Sequence, residues 1–389
     1  MTLPFRPKDT PGRLPVNRTT RREDRTIPPK AKPRSVDEAR RRRGSASTTL
    51  RDVAQRSGVS VTTASRILNG RTSGVPIRDE TRDRVLAAAA DLGYKPNLLA
   101  RGLRGSRSSL IGVIARDVSD PFHIQVLQGI NEVTRAREFR LFLGHVDYRP
   151  DVALTYGSMF ERSHADGIIV LGDLVDGTWS LADLTTHHRY VVGVSDRVGA
   201  GAFPGVYSDA AKGTRLALEH LWGLGHRNIV CVSDPATEDQ RLRTTLYQTF
   251  MRERGVGDLA VAYPIGQPDP EPSYRLGLEL FAGNGARHLP TAIFATSDTI
   301  AIGLLRAAYQ SGVVVPRDVS IMGFDDIAIA AYTVPPLTTI SQSGEEMGRR
   351  AAGLLLDMIE ADDGAERHGD IVLEPTLIVR DSTALPPGA

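Results

Sequence analysis

From Leu110 onward the chain changes rhythm. Short apolar runs at 110–115, 141–143, 167–171, 190–194, 228–232, 260–263, 291–295 and 320–324 alternate with helical stretches at about 123–137, 151–163, 209–223, 240–255, 273–282, 298–311 and 345–360. A strand that is apolar throughout is buried on both faces. A strand–helix–strand repeat closes as a right-handed crossover onto a parallel sheet. The pattern therefore predicts an α/β fold built on parallel sheets. So many units exceed one small sheet, so two lobes are expected; an eight-stranded (βα) barrel is the competing arrangement.

Charge is as uneven as the pattern. The 389 residues carry a net charge of +2. Residues 1–110 nevertheless hold 25 basic and 10 acidic side chains, a net +15, and the remainder is −13. A basic end on an acidic body implies a polyanion-binding module joined to something that binds no polyanion. Residues 1–47, with seven prolines, the run Arg40-Arg41-Arg42-Arg43 and no apolar periodicity, read as a basic disordered arm. The single cysteine, Cys231, excludes an intrachain disulfide framework and points to a reduced compartment, the cytoplasm. No apolar run approaches the roughly 20 residues of a membrane span, and the arm has no apolar core of a secretory signal.

Between arm and repeats lie three short helical patterns, at 50–57, 61–68 and about 79–92. Val53, Ala54, Ala64, Ile67, Leu68, Val85, Leu86, Ala89 and Leu92 are their expected inward residues. Thr48 or Thr49 is a candidate cap for the first and Ser60 for the second, with Gly58-Val59 as the turn between them. Helix, glycine-containing turn and helix within about 20 residues form a helix-turn-helix pattern, whose second helix presents its N-terminal side chains to the DNA major groove. The outward residues there are Val61, Thr62, Thr63 and Arg66. Arginine can donate two hydrogen bonds to guanine, and the threonine and valine methyls can touch thymine. A purely structural three-helix bundle is the competing reading.

Several segments in order carry a further signal: Thr49-Leu50-Arg51-Asp52-Val53-Ala54, Ser57-Gly58-Val59-Ser60, Thr63-Ala64-Ser65-Arg66-Ile67-Leu68-Asn69, Leu92-Gly93-Tyr94-Lys95-Pro96-Asn97, Leu110-Ile111-Gly112-Val113, Asp120-Pro121-Phe122, Gly225-His226-Arg227-Asn228-Ile229, Gly323-Phe324-Asp325-Asp326 and Pro336-Leu337-Thr338-Thr339-Ile340. From residue 48 to about 383 the chain resembles the lactose-repressor/galactose-repressor family of bacterial transcription regulators. The resemblance implies a DNA-binding headpiece at 48–93, a hinge helix or linker within 94–108, and a two-lobed effector-binding and dimerisation domain at 109–389. It adds Thr49, Leu50, Ser65 and Asn69 to the DNA-facing set, and Asn97, Ala100 and Leu103 in the hinge. Leu103 falls where the family wedges a leucine into the minor groove; an ordinary linker leucine is the alternative. A hinge of about nine residues is below the roughly 12–15 that make an isolated helix stable, which suits a segment that folds only on DNA.

In the effector domain the resemblance implies a ligand cleft at the strand carboxyl ends. The matching positions are Phe122, Arg243, Ser297, Asp298, Asp325 and Gln342. A guanidinium and a carboxylate suit a polyol's paired acceptors and donors. The competing readings are a surface ion pair for Arg243 and a loop cap for Asp325. Ser297 stands where an asparagine is common, so the ligand is read as a small polar metabolite, a sugar by resemblance. The expected partners are double-stranded operator DNA, a small-molecule effector and a second copy of the chain, with no membrane. A dimer is favoured over a tetramer because no heptad-bearing tail follows Val379.

No cofactor or metal is expected. Gly199-Ala200-Gly201 lacks the strand–helix context of a dinucleotide fingerprint, and His187-His188 are adjacent rather than one helical turn apart. A catalytic glycine-flanked serine turn is absent from the sequence. A solute-binding protein without a regulatory role shares the lobes but has no use for residues 48–93.

Overall fold

The computed structural model describes residues 48–68, 76–94, 107–147, 149–172, 182–195, 203–266, 269–282, 289–362 and 368–388. The basic arm, Asn69, most of the loop from Gly70 to Arg78, and the hinge residues Asn97, Ala100 and Leu103 lie outside them. The chain divides into two compact units, Met1–Pro96 and Asn97–Ala389.

The first unit contains α1 (Leu50–Ser57), α2 (Val61–Leu68) and α3 (Asp79–Asp91). Thr49 caps α1 reciprocally with Asp52: the Thr49 N–H donates to Asp52 Oδ2 at 2.8 Å, and Thr49 Oγ1 accepts from the Asp52 N–H. The Thr49 hydroxyl, which donates to Asp52 Oδ2 at 2.7 Å, and then the Thr49 N–H hold the Asp52 carboxyl below its usual range. Gly58 ends α1 in the left-handed region at φ 65°, which costs glycine nothing. Ser60 then caps α2, accepting from the Thr63 N–H at 3.0 Å. Val53, Ala54, Ala64, Ile67, Val85, Ala88 and Ala89 form the core. Leu86 is a correction: it is 46% exposed, because the buried face of α3 runs through Val85, Ala88 and Ala89, and the next residue lies 100° away from it.

The second unit has two lobes, and that excludes the barrel. Its elements are β1 (Leu110–Ala115), α4 (Pro121–Ala136), β2 (Arg140–His145), α5 (Pro150–Arg162), β3 (Gly167–Leu171), α6 (Ala182–His187), β4 (Val191–Ser195) and β5 (Gly205–Ser208). Then come α7 (Ala210–Gly223), β6 (Ile229–Ser233), α8 (Glu238–Glu253), β7 (Val261–Pro264), α9 (Pro270–Ala282), β8 (Ala292–Ala295), α10 (Asp298–Gln310), β9 (Ser320–Met322), β10 (Thr339–Ser341), α11 (Gly344–Ala361), β11 (Ile371–Leu373) and β12 (Thr376–Ile378). One parallel sheet runs β11-β5-β4-β3-β1-β2, and the other β7-β6-β8-β9. The antiparallel pair β10-β12 lies beside the second sheet, bridged to it at Met322 and Thr338.

The chain passes between the lobes three times: after β5, after β10, and between β11 and β12. The last helix therefore belongs to the first lobe. Met347, Ala351, Leu355 and Ile359 of α11 are buried with Ile111, Val126, Ile130 and Ile169. Helices α4 and α11 meet through glycines. A Cβ built on Gly129 would overlap the Glu345 carbonyl, and one on Gly348 the Val126 carbonyl, so the two backbones touch.

Candidate functional site

In the first unit, α2 carries the DNA-facing candidates. Ala64 and Ile67 face the core, while Val61 and Thr62 are exposed and Thr63, Ser65 and Arg66 are half-buried. At 100° per residue this splits the helix into a packing face and an outward face. Thr63 already has a partner, since its Oγ1 lies 2.8 Å from Ser60 Oγ. Thr49 is exposed at the N-terminus of α1. Leu50 is half-buried against the core, so packing takes most of its surface.

In the second unit the walls of the two lobes face each other across a narrow cleft. The first lobe contributes Arg116, Asp120, Phe122, His123, Leu171 and Ser195; the second contributes Thr237, Asp239, Gln240, Arg243, Ser297, Thr299, Asp325 and Gln342. Most of these follow strand carboxyl ends, where parallel sheets place ligand sites. Asp120 caps α4 through the Phe122 N–H at 2.9 Å. His123 donates from Nδ1 to the Asp117 carbonyl at 2.6 Å, which leaves Nε2 toward Gly172.

Arg243 is the centre of the second-lobe wall. Its Nη1 donates to the Thr296 carbonyl at 2.5 Å and stands 3.5 Å from Asp325 Oδ1. Its guanidinium stacks 3.8 Å over the Phe324 ring. Gln342 Nε2 donates to the same Asp325 oxygen at 2.7 Å, while Gln342 Oε1 is buried without a protein partner. A ligand hydroxyl would satisfy that acceptor. Burial pushes the Asp325 carboxyl well above its usual range, against the pull of Arg243, and Asp120 and Asp298 add to the rise. Asp325 and Asp326 both have positive φ, 113° and 54°. Arg380 holds Asp326 at 2.7 Å, and the Asp325 N–H donates to the Ile340 carbonyl at 2.8 Å. Such backbone strain persists only where neighbours fix it.

Phe122, Arg243, Ser297, Asp325 and Gln342 therefore meet in one cleft. Asp298 does not join them. It is fully buried at the start of α10, where it accepts from Thr339 Oγ1 at 2.5 Å and the Ile327 N–H at 2.8 Å. It fastens the loop carrying Asp325 from behind. Ser297, next to it, does reach the cleft and also caps α10 through the Ile300 N–H at 3.3 Å. Burial lifts the Asp298 carboxyl to about 7. The folded state then holds a proton that the unfolded chain releases near pH 4, so this group's stabilisation is complete at low pH and is lost as pH rises from about 4 through 7. Asp298→Asn keeps the shape and removes the titration. Its denaturation midpoint is expected to gain on the wild type as pH rises from 5 to 8. A constant difference across that range would refute the assignment.

Residue-by-residue reading missed Arg116, Asp239, Gln240 and Thr299. One signal was present for Arg116: a cation directly after the apolar run 110–115, at a strand carboxyl end. Asp239 had no such signal, being an ordinary acidic residue in the first turn of a helix. Among the described residues no group of three or more potential metal ligands occurs.

Residues 49–97 match the family described as bacterial regulatory proteins, lacI family, and residues 218–383 match the periplasmic binding protein-like domain. The chain is 33% identical over 349 residues to the HTH-type transcriptional regulator DegA of Bacillus subtilis, an alignment covering 87% of this chain and 98% of DegA. The lac repressor dimer bound to operator and the anti-inducer ONPF superposes with a TM-score of 0.73 at 25% identity, covering 87% of this chain and 99% of that one. A lacI-family regulator from Enterococcus faecium with bound ribose gives a TM-score of 0.63 at 28% identity over 71% and 99% of the two chains.

Proposed function

We propose, from the premise that the chain belongs to the lacI family of bacterial regulatory proteins, that it represses transcription as a dimer whose operator affinity follows the occupancy of its interlobe cleft by a small polar ligand. The carrying observation is the pairing, in one chain, of a helix-turn-helix unit with its second helix outward and a two-lobed unit whose cleft holds buried, opposed guanidinium and carboxylate groups. Two-fold symmetry would match two headpieces to a near-palindromic operator.

A sugar is the ligand class we favour. The Enterococcus faecium regulator was solved with ribose. Arg243, Asp325 and Gln342 offer the donors and acceptors a polyol needs, with Phe122 as the apolar wall. We read 48–93 as headpiece, 94–108 as hinge, with Leu103 as its minor-groove wedge, and 109–389 as effector and dimerisation domain. The division of the chain at Pro96 falls within that hinge. The relatives are transcription regulators, and we infer that this chain is no enzyme. Its action on DNA would place it in the cytoplasm; no helix among the described residues is long and apolar enough to cross a membrane.

Arg66 is our base-reading residue. Arg66→Ala is expected to weaken specific binding by about 1–3 kcal/mol, roughly 5- to 150-fold, with little change on random DNA. Selection of a binding site from a random duplex pool, followed by footprinting of both proteins, measures this. Equal losses on selected and random DNA would remove Arg66 from base readout. Thermal-shift screening with sugars tests the cleft, since a ligand that binds only the folded state must stabilise it.

A further inference from the structure

Across the cleft runs an ion pair between the lobes. Arg116 follows β1 in the first lobe, and its N–H donates to the Leu171 carbonyl at the end of β3 at 3.0 Å. Asp239 sits in the first turn of α8 in the second lobe. The groups meet side by side, Nη1 to Oδ1 at 3.2 Å and Nη2 to Oδ2 at 3.3 Å. Their side chains are only 8% and 12% exposed. A second interlobe contact supports the first: Gln125 Nε2 of α4 donates to the Asp326 carbonyl at 2.9 Å.

We propose that Arg116 and Asp239 form a latch that holds the lobes together and sets the balance between closed and open cleft. The reasoning is geometric. Two parallel hydrogen bonds between planar groups fix distance and orientation together, so a small rotation of one lobe breaks both. Both partners are protein side chains, so the contact is available with or without an effector. The closure is also easily reversed. Opening returns both ions to water, and the recovered hydration offsets most of the lost attraction, as with buried ion pairs in general. An apolar closure would lack that compensation. Burial alone would raise the Asp239 carboxyl, but the Arg116 and Arg243 guanidiniums outweigh it and hold the group ionised. A ligand entering the cleft must keep the latch or take its place on Arg116. The regulatory meaning of the latch rests on the function proposed above; its existence does not.

The test needs neither DNA nor effector. Cys231, the only cysteine, is buried and its thiol is pushed up to about 12, so spin labels attach to added cysteines alone. Ser158→Cys on α5 and Thr245→Cys on α8 are exposed sites, one in each lobe. Interlobe distances are measured in the full chain, diluted with unlabelled protein so that only one protomer of a pair carries labels. Asp239→Asn and Arg116→Gln are each expected to raise the long-distance population several-fold, and the double variant no further than either. Arg116→Lys keeps the charge but loses the fork, should show an intermediate shift, and decides the matter if the others fail to fold. Wild-type distances in the folded variants, or additive effects in the double, would overturn the latch. The regulator reading would stand or fall separately, on the Arg66 footprint.

Discussion

Replacing Gly348 with valine should unfold the first lobe at markedly lower denaturant than the wild type tolerates. A side chain at 348 has nowhere to go, because its Cβ would overlap the carbonyl of Val126 and crowd the Ile130 nitrogen, both backbone atoms of α4. Flexible side chains can swing aside; a helix backbone cannot. The two helices must separate, and that opens the packing of Val126, Ile130, Met347 and Ala351. Overpacking a tight core costs about 1–3 kcal/mol and occasionally more, and here the upper end applies. For lobes of this size that lowers the melting temperature by roughly 6–12 °C. Gly353→Ala, on the same helix but in open space, is the control and should be neutral or mildly stabilising. Equal melting temperatures for Gly348→Val and the control would mean that the helices do not touch.

Arg243→Ala should produce the second large effect, with a pH signature. The variant strips a buried carboxylate of its guanidinium, and removing one member of a buried pair costs about 3–5 kcal/mol. It also removes the stack on Phe324 and a donor to the Thr296 carbonyl. The Asp325 carboxyl, already raised by burial, then rises further. A carboxyl raised in the folded state contributes stability that is present at low pH and is lost as pH climbs through its folded value. The deficit of Arg243→Ala against wild type is thus expected to be smaller at pH 5 than at pH 8, by urea denaturation. Adding Asp325→Asn should remove most of that pH dependence, because no charge remains to be stranded. A deficit independent of pH in the single variant would show that Arg243 acts through packing alone.

Sequence pattern reached far in this chain, for identifiable reasons. The runs at 110–115 and 167–171 became β1 and β3 residue for residue, because a strand buried on both faces leaves a continuous apolar imprint. β2 extends beyond 141–143 into Arg140 and His145, since a strand at the sheet's edge pairs on one side only, stays open to solvent and tolerates polar residues. β5, β10, β11 and β12 went unread. Each has only three or four residues, too few for any periodicity, and long-range pairing defines them.

The cleft was legible where one motif delivered one residue. Arg243, Ser297, Asp325 and Gln342 all point into it. Asp298, read into the cleft beside Ser297, is absent from the cleft's lining. Both residues are buried, but Ser297, the extended N-cap of α10, keeps its place in the cleft wall, while Thr339 and the Ile327 amide hold the Asp298 carboxyl behind it. Arg116 and Asp239, 123 residues apart, illustrate the opposite limit. A place at a strand carboxyl end marks Arg116, nothing local marks Asp239, and their partnership exists only after both sheets are built.

The route of the chain has a consequence for its biosynthesis. The second lobe owns its four-stranded sheet once Met322 has been made. The first lobe, although encoded earlier, lacks α11 and its edge strand β11 until residues 344–373 leave the ribosome. Until then the apolar surfaces that α11 will cover, Val126 and Ile130 among them, have no lid. Both lobes therefore wait for the last stretch of chain, the first for α11 and β11 and the second for β12 to pair with β10, and a message truncated before codon 344 would leave both incomplete, prey for proteases and chaperones.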